Sequence, residues 1–237
     1  MLPLVFGADC LEKPPVNEPS TSSESLRKQV YQTLRTGLRK GRLGSSRTAT
    51  ERDLAEQLGV SRTPVREALV LLMHDGLIAA TSRGFSLPEL SRQDLLDLLQ
   101  IRRMLEPGAL VTTVEHLSAY DLRMLRDSLK QQASADRSGD VESFVAANSL
   151  FRSVWLGAVP NSQLRRLIER HDDHVQWLRQ LTLHEPKVRK KVIAGLTNIV
   201  AALEAGKPAA VETAMRAHLE AAEEALTAAL AQRSQLV

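Results

Sequence analysis

From Gln93 to the carboxy terminus, apolar residues recur only at spacings of three and four, in segments near 93–115, 119–134, 140–157, 161–182, 186–205 and 208–232. That is the period of helices buried along one side, and the alternation of a half-buried strand appears nowhere in this half. The connections are a few residues long, so consecutive helices must lie beside one another. The expectation for residues 91–237 is an all-α bundle of six or seven helices.

The first ninety residues follow a different plan. Residues 1–24 are rich in Pro, Ser, Thr and Glu without periodicity, and read as a disordered or loosely attached tail. Leu26, Val30, Leu34 and Leu38 mark a helix that stops at Gly41 and Gly44. Thr50 is placed to cap a short helix, ERDLAEQL, which ends at Gly59. Ser61 is placed to cap the next, RTPVREALVLLMHDG, whose Pro64 lies in the first turn, where a missing N–H costs little. LIAATSRGFSLPE then reads as two short extended runs around Ser82-Arg83-Gly84, a small hairpin. Helix, short helix, tight turn, helix and two-stranded wing form a winged helix-turn-helix over residues 25–90. The fold class is mainly α, a winged helix-turn-helix followed by a helical bundle.

Charge is distributed unevenly over the three segments. The chain carries 31 Lys and Arg against 28 Asp and Glu. Residues 1–24 hold one cation against four acids, residues 25–90 eleven against six, and residues 91–237 nineteen against eighteen. The positive excess lies in the winged segment and points to a polyanion there. On its second helix Val65, Ala68, Leu69 and Leu72 face the preceding helix, while Arg62 and Arg66 lie on the opposite face near the amino terminus. A recognition helix pushes that end into the major groove, where an Arg bonds guanine O6 and N7. Arg52 reaches the same groove or the backbone, Thr63 meets phosphate, Ser61 counts among the DNA-binding residues, and Arg83 with Gly84 makes a wing tip for the minor groove. The plainer account is a solvated face with these arginines paired to Glu67 and Asp53.

Several classes are excluded. At 43% apolar and 25% charged residues the composition is that of a soluble globular protein, with no apolar run long enough for a membrane span. LPLVFGA has neither a basic region before it nor a convincing cleavage site, and the single Cys10 fits a reducing cytoplasm. No Ser/His/Asp or Cys/His constellation and no phosphate-cradling glycine loop supports an enzyme.

One segment breaks its own pattern. In NSLFRSVWLG and the residues before it, Val141, Phe144, Val145, Trp155 and Leu156 share one arc of a helix, and Asn148 and Arg152 fall in the middle of that arc. Glu142, Ser149 and Ser153 already occupy the other side. A guanidinium on a core-facing stripe requires an anion, since burial of an unpaired charge is costly.

ERDLAEQLGVSRTPVREALVLLMHDGLIAA and the following RGF resemble the signature of GntR-type transcriptional regulators over most of residues 25–88, with LGVSRTPVREAL the most specific run. The helical half resembles the FCD-type ligand-sensing domain of the FadR subfamily through QIRRMLEP, NSLFR, ALEAGK and AMRAHLEAA. The resemblance implies a homodimer on pseudo-palindromic double-stranded operator DNA and a small-molecule effector, commonly an organic acid. It also implies a metal site, which many members build from one Asp or Asn and three His. Those positions fall on Asn148, Arg152, Leu196 and His218. An arginine is permanently cationic and cannot be a ligand, and Leu196 belongs to an apolar stripe with Val192, Ile199 and Leu203. The expectation is no metal cofactor, with Asn148, His171 and His218 as the alternative ligand set. In place of the metal, Arg152 offers a fixed charge for an effector carboxylate. His218 and Arg102 add donors, Asn148 sorts hydroxyl from carbonyl groups, and Trp155 and Phe144 bound the apolar part. The alternative is an internal pair of Arg152 with Glu106, four residues after Arg102, in a domain that only dimerises. The reading is a cytoplasmic, dimeric, effector-responsive regulator, a repressor in sign.

Overall fold

Thr50 starts a short helix with a reciprocal cap: its side chain accepts from the Asp53 N–H (3.2 Å), and the Asp53 carboxylate accepts from the Thr50 N–H (3.2 Å). The computed structural model describes residues 4–6, 23–39, 43–45, 50–81, 84–86 and 91–234. The chain divides into two compact units, residues 1–89 and 90–237.

In the first unit the order is β1 (Leu4–Phe6), α1 (Ser23–Arg39), β2 (Leu43–Ser45), α2 (Glu51–Leu58), α3 (Arg62–His74), β3 (Ala79–Thr81) and β4 (Gly84–Ser86). Gly59, at φ 67, ends α2 in a left-handed turn that a side chain would disfavour. The turn brings Leu54, Ala55 and Leu58 against Val65, Ala68, Leu69 and Leu72, with Val30 and Leu34 of α1 closing the core. Each buried Leu or Val side chain here contributes about 1.5–3 kcal/mol. Tyr31 ties α1 to the end of α3 by donating its hydroxyl to Asp75 (2.6 Å). The wing is the antiparallel pair β3–β4, with Ala80 opposite Phe85.

Two expectations need correction here. Leu4–Phe6 pairs antiparallel with β2, Val5 opposite Gly44, so the tail is not without structure throughout. The β-prone Leu-Val-Phe is hidden in a composition dominated by Pro, Ser and Thr. Ser61 does stand at the N-cap of α3, but its side chain makes no capping bond. Pro64 is the third helical residue, and it lacks the N–H that such a cap would bond.

The second unit is α4 (Arg92–Val111), α5 (Ala119–Ser138), α6 (Val141–Gly157), α7 (Ser162–Glu169), α8 (Asp172–Thr182), α9 (Pro186–Glu204) and α10 (Pro208–Ser234). These are seven helices among the described residues. Ser91 with Asp94 and Ser118 with Asp121 repeat the reciprocal cap at the starts of α4 and α5. The stretch expected as one helix over 161–182 breaks at Arg170-His171. Ile168 on the first piece packs into the main core with Phe151, Trp155 and Ile199. Val175 and Leu178 on the second pack into a separate cluster with Leu95, Leu98, Leu99 and Leu226. Two cores in different directions cannot be served by one straight helix, and no Gly or Pro marks the bend in sequence.

Candidate functional site

In the first unit the amino terminus of α3 is open. Ser61, Arg62, Thr63 and Arg66 are all exposed, while Pro64, Val65, Ala68 and Leu69 turn inward. Arg62 donates from Nη2 to Glu51 Oε2 (3.3 Å), and Arg66 engages the same carboxylate through Nε (3.1 and 3.2 Å) and Nη2 (3.1 Å). Hydrogen bonds from Arg66, then from Arg62, hold the Glu51 carboxyl below its usual range. The partner is therefore Glu51 rather than Glu67 or Asp53; it comes from the first turn of α2, 11 and 15 residues away. Arg52 is exposed and paired along its own helix with Glu56 (3.6 Å). Gly84 opens β4 and accepts from the Thr81 hydroxyl through its carbonyl (3.1 Å). Arg83 lies outside the described residues.

In the second unit the core-facing stripe of α6 is as the spacing requires. Asn148 is 7% and Arg152 5% exposed, in a row with Phe144, Phe151 and Trp155. Arg152 has two acids. It donates from Nη1 to Glu106 Oε1 (2.8 Å) and from Nε to Asp172 Oδ1 (2.9 Å). Glu106 in turn accepts from Arg102 Nε (2.7 Å). Burial alone would raise the Glu106 carboxyl; the charges of Arg102 and Arg152 outweigh it and leave it at about 2. The guanidinium of Arg152 stands 5.6 Å from the Trp155 ring centre, and its Nη2 is enclosed without a hydrogen-bond partner.

Beside this network is a cavity of about 60 Å³. Its polar lining is Arg102, Asn148, Arg179, Thr182 and His218; its apolar lining includes Leu99, Val175, Leu178, Val192 and Leu226. The structure thus brings Arg102, Asn148 and His218 together as expected. Arg152 and Trp155 stand behind them, outside the lining. Phe144 belongs to a third cluster with Val145 and Leu183. Arg152 is withdrawn because Asp172, unforeseen in the sequence, shares it with Glu106.

Arg179 was not anticipated either, though the signal was present. It lies about 40° around the helix from Val175, on the margin of the apolar stripe. Its Nη1 meets only neutral acceptors, Gln176 Oε1 (3.1 Å) and Ser149 Oγ (3.5 Å). Burial, then the charges of Arg152 and Arg102, pushes its guanidinium down to about 9.

The residues at the metal positions do not fit a cation. Leu196 is buried in the main core, Arg152 is a cation held by two carboxylates, and His218 shares its cavity with Arg102 and Arg179. His171 stands at the start of α8 and is not part of the cavity lining. Among the described residues no three His, Cys, Asp or Glu are grouped to hold a metal. Asn148 donates instead to Gln132 Oε1 (3.2 Å).

His218 is set tightly into the wall: a Cβ on Gly195 of α9 would lie 2.8 Å from its Nδ1, so only glycine allows this approach. Burial, then the charge of Arg102, lowers the imidazole from 6.5 to about 4. The unfolded chain takes up that proton near pH 6.5 and the folded chain only near 4. Stability is therefore full above pH 6.5 and falls as pH drops toward 4, by up to about 3 kcal/mol for this group. Urea unfolding at pH 7 and 4.5 should show His218→Gln losing less stability between the two than the parent; equal losses would refute it.

Comparison with known proteins decides the family. Residues 26–84 match the family model "Bacterial regulatory proteins, gntR family", and residues 97–221 match the FCD domain. This chain belongs to the GntR family. Its FCD domain gives it the architecture of the FadR-type subfamily. The transcriptional regulator McbR of Escherichia coli is 38% identical over 129 residues, 54% of this chain and 58% of that protein. A probable D-xylose utilization operon transcriptional repressor of Paenarthrobacter nicotinovorans is 30% identical over 184 residues, 76% of this chain and 80% of its own length. The solved structure of E. coli McbR/YncC superposes with a TM-score of 0.73 at 29% identity, covering 88% of this chain and 99% of that one. The matched domains and relatives of this GntR-family chain are those of transcriptional regulators and not of enzymes. Among the described residues no helix is long and apolar enough to cross a membrane.

Proposed function

We propose that this GntR-family protein is a cytoplasmic dimeric repressor that binds a pseudo-palindromic operator and responds to a small organic acid held in its helical domain. The observation that carries the DNA reading is the open amino terminus of α3. Arg62, Thr63 and Arg66 face outward there, in a segment with eleven cations against six acids. Free N–H groups at that end suit a phosphate, and Ser61, with no capping bond, adds a hydroxyl beside them. Arg52 and the wing at Arg83-Gly84 would complete the contact. Repression as the sign is supported by the D-xylose operon relative, which is named a repressor.

The effector reading rests on the cavity. Arg152 takes the role of a fixed cation in place of a metal, but it neutralises Glu106 and Asp172 and stands outside the cavity lining with its Nη2 enclosed. Arg102, Asn148 and His218 would meet the acid directly. A difference of a few kcal/mol in affinity between two dimer arrangements is enough for release. The rival reading is a DNA-binding dimer whose helical domain only dimerises. Closure of Arg152 on Glu106 favours it; the donors turned into the cavity favour an effector.

Selection of bound duplexes from a random pool, with the full chain, should yield a two-fold-related sequence. Band shifts on that duplex should then weaken when the right short-chain acid is added. Failure to enrich any sequence defeats the operator reading. Enrichment with no response to any acid leaves the rival standing.

A further inference from the structure

Among the described residues, four guanidiniums lie in the interior of the helical unit, and three of them have an acid. Arg102 has Glu106 (2.7 Å), Arg152 has Glu106 and Asp172 (2.8 and 2.9 Å), and Arg189 has Asp136 (2.6 Å) together with the carbonyls of Leu183 and His184. Arg179 has none among the described residues, and it lines the cavity together with Arg102 and His218. Around the cavity the protein therefore supplies three cations, Arg102, Arg152 and Arg179, against two anions, Glu106 and Asp172. His218 makes no hydrogen bond among the described residues, so a ring nitrogen is available to donate.

We propose that Arg179 is the primary anchor of the effector and that the effector is a monocarboxylate with a short apolar tail. This rests on the effector reading above and narrows it. One negative charge brings the site to neutrality; a dicarboxylate overshoots and sets its second carboxylate against Glu106 and Asp172, or against the apolar wall. A neutral ligand leaves Arg179 uncompensated, at the cost already visible in its guanidinium, lowered to about 9. Apart from Asn148 and Thr182, which are neutral, and Arg102, which already has Glu106, the walls are apolar, Leu99, Val175, Leu178, Val192 and Leu226 among them. A cavity of about 60 Å³ has room for a few water molecules, and so for a carboxylate and a few carbons. The guanidinium of Arg179 would form the two-pronged contact, with His218 donating to one oxygen and the tail on the Leu178–Leu226 side.

Thermal unfolding and calorimetry of the full chain in chloride buffer test this with acetate, propionate, butyrate and isovalerate. Malonate, succinate, glutarate and propionamide serve as matched controls. At least one monocarboxylate should raise Tm by several degrees, and the controls of equal length should not. Arg179→Gln should raise the Tm of the ligand-free chain, because a surplus charge is removed, and should abolish the monocarboxylate shift. Arg179→Lys should keep part of it. A larger shift with dicarboxylates overturns the charge argument while the effector reading stands. A lower ligand-free Tm in Arg179→Gln makes Arg179 structural and overturns the assignment. If none of the acids shifts Tm, this proposal falls and the effector reading with it.

Discussion

Glu106→Gln is expected to destabilise the helical domain by about 3–5 kcal/mol, the cost of removing one partner from a buried ionic network. Glu106 is 1% exposed and is shared by Arg102 and Arg152, so the neutral isostere leaves two guanidiniums facing an amide. Three cations would then stand against Asp172 alone. For a unit of this size the loss is roughly 6–20 °C in Tm. The pH dependence agrees in sign and size. A carboxyl held at about 2 in the fold and near 4.5 when unfolded gives stability that is full above pH 4.5 and lost as pH falls toward 2. Its total is about 3 kcal/mol. The double replacement Glu106→Gln with Arg102→Gln should recover part of the loss, because a surplus cation goes with the acid. A single-variant loss below about 1 kcal/mol would show that the network is solvated and that the charge count around the cavity does not govern it.

What the sequence disclosed about this site follows from the reach of helical periodicity. Periodicity assigns a face, so it turned Asn148 and Arg152 inward and placed Leu196 in the core. It says nothing of a partner on another helix. Glu106 was found because it sits one turn from Arg102 in a short motif. Asp172 was not, because it belongs to the first turn of α8, and the break that creates that turn carries no Gly or Pro. The break comes from the division of Ile168 and Val175 between two cores, which is a tertiary fact. Arg179 stands on the edge of a visible stripe, where an arginine usually reaches solvent. Its distinction is the lack of an acid, and that appears only once the neighbouring helices are assembled. The winged half was more open to reading, since caps, the Gly59 turn and the apolar face of α3 are all local. Glu51 was the exception, because it reaches Arg62 and Arg66 through the packing of α2 on α3.

That shared carboxylate shapes the largest expected effect on DNA binding. Arg62→Ala with Arg66→Ala should cost about 2–6 kcal/mol of affinity for the selected duplex, from two arginines worth about 1–3 kcal/mol each at guanine edges. If both read bases, preference flattens at two positions per half-site while affinity for random DNA changes little. If both meet only phosphates, binding falls equally on all sequences and the salt slope drops by about one per arginine. The first outcome is expected. In the free protein both side chains are already drawn together on Glu51, exposed and at the open amino-terminal end of α3. Glu51 then acts on each in two opposing ways. It aligns two long side chains that would otherwise lose conformational freedom on binding, and it sets a negative charge near a phosphate backbone. Glu51→Gln should therefore raise affinity for random DNA, by relief of repulsion, while lowering the ratio of specific to random binding. If the ratio is unchanged, the alignment is irrelevant to recognition, and Glu51 is only a resting partner that the arginines leave when DNA arrives.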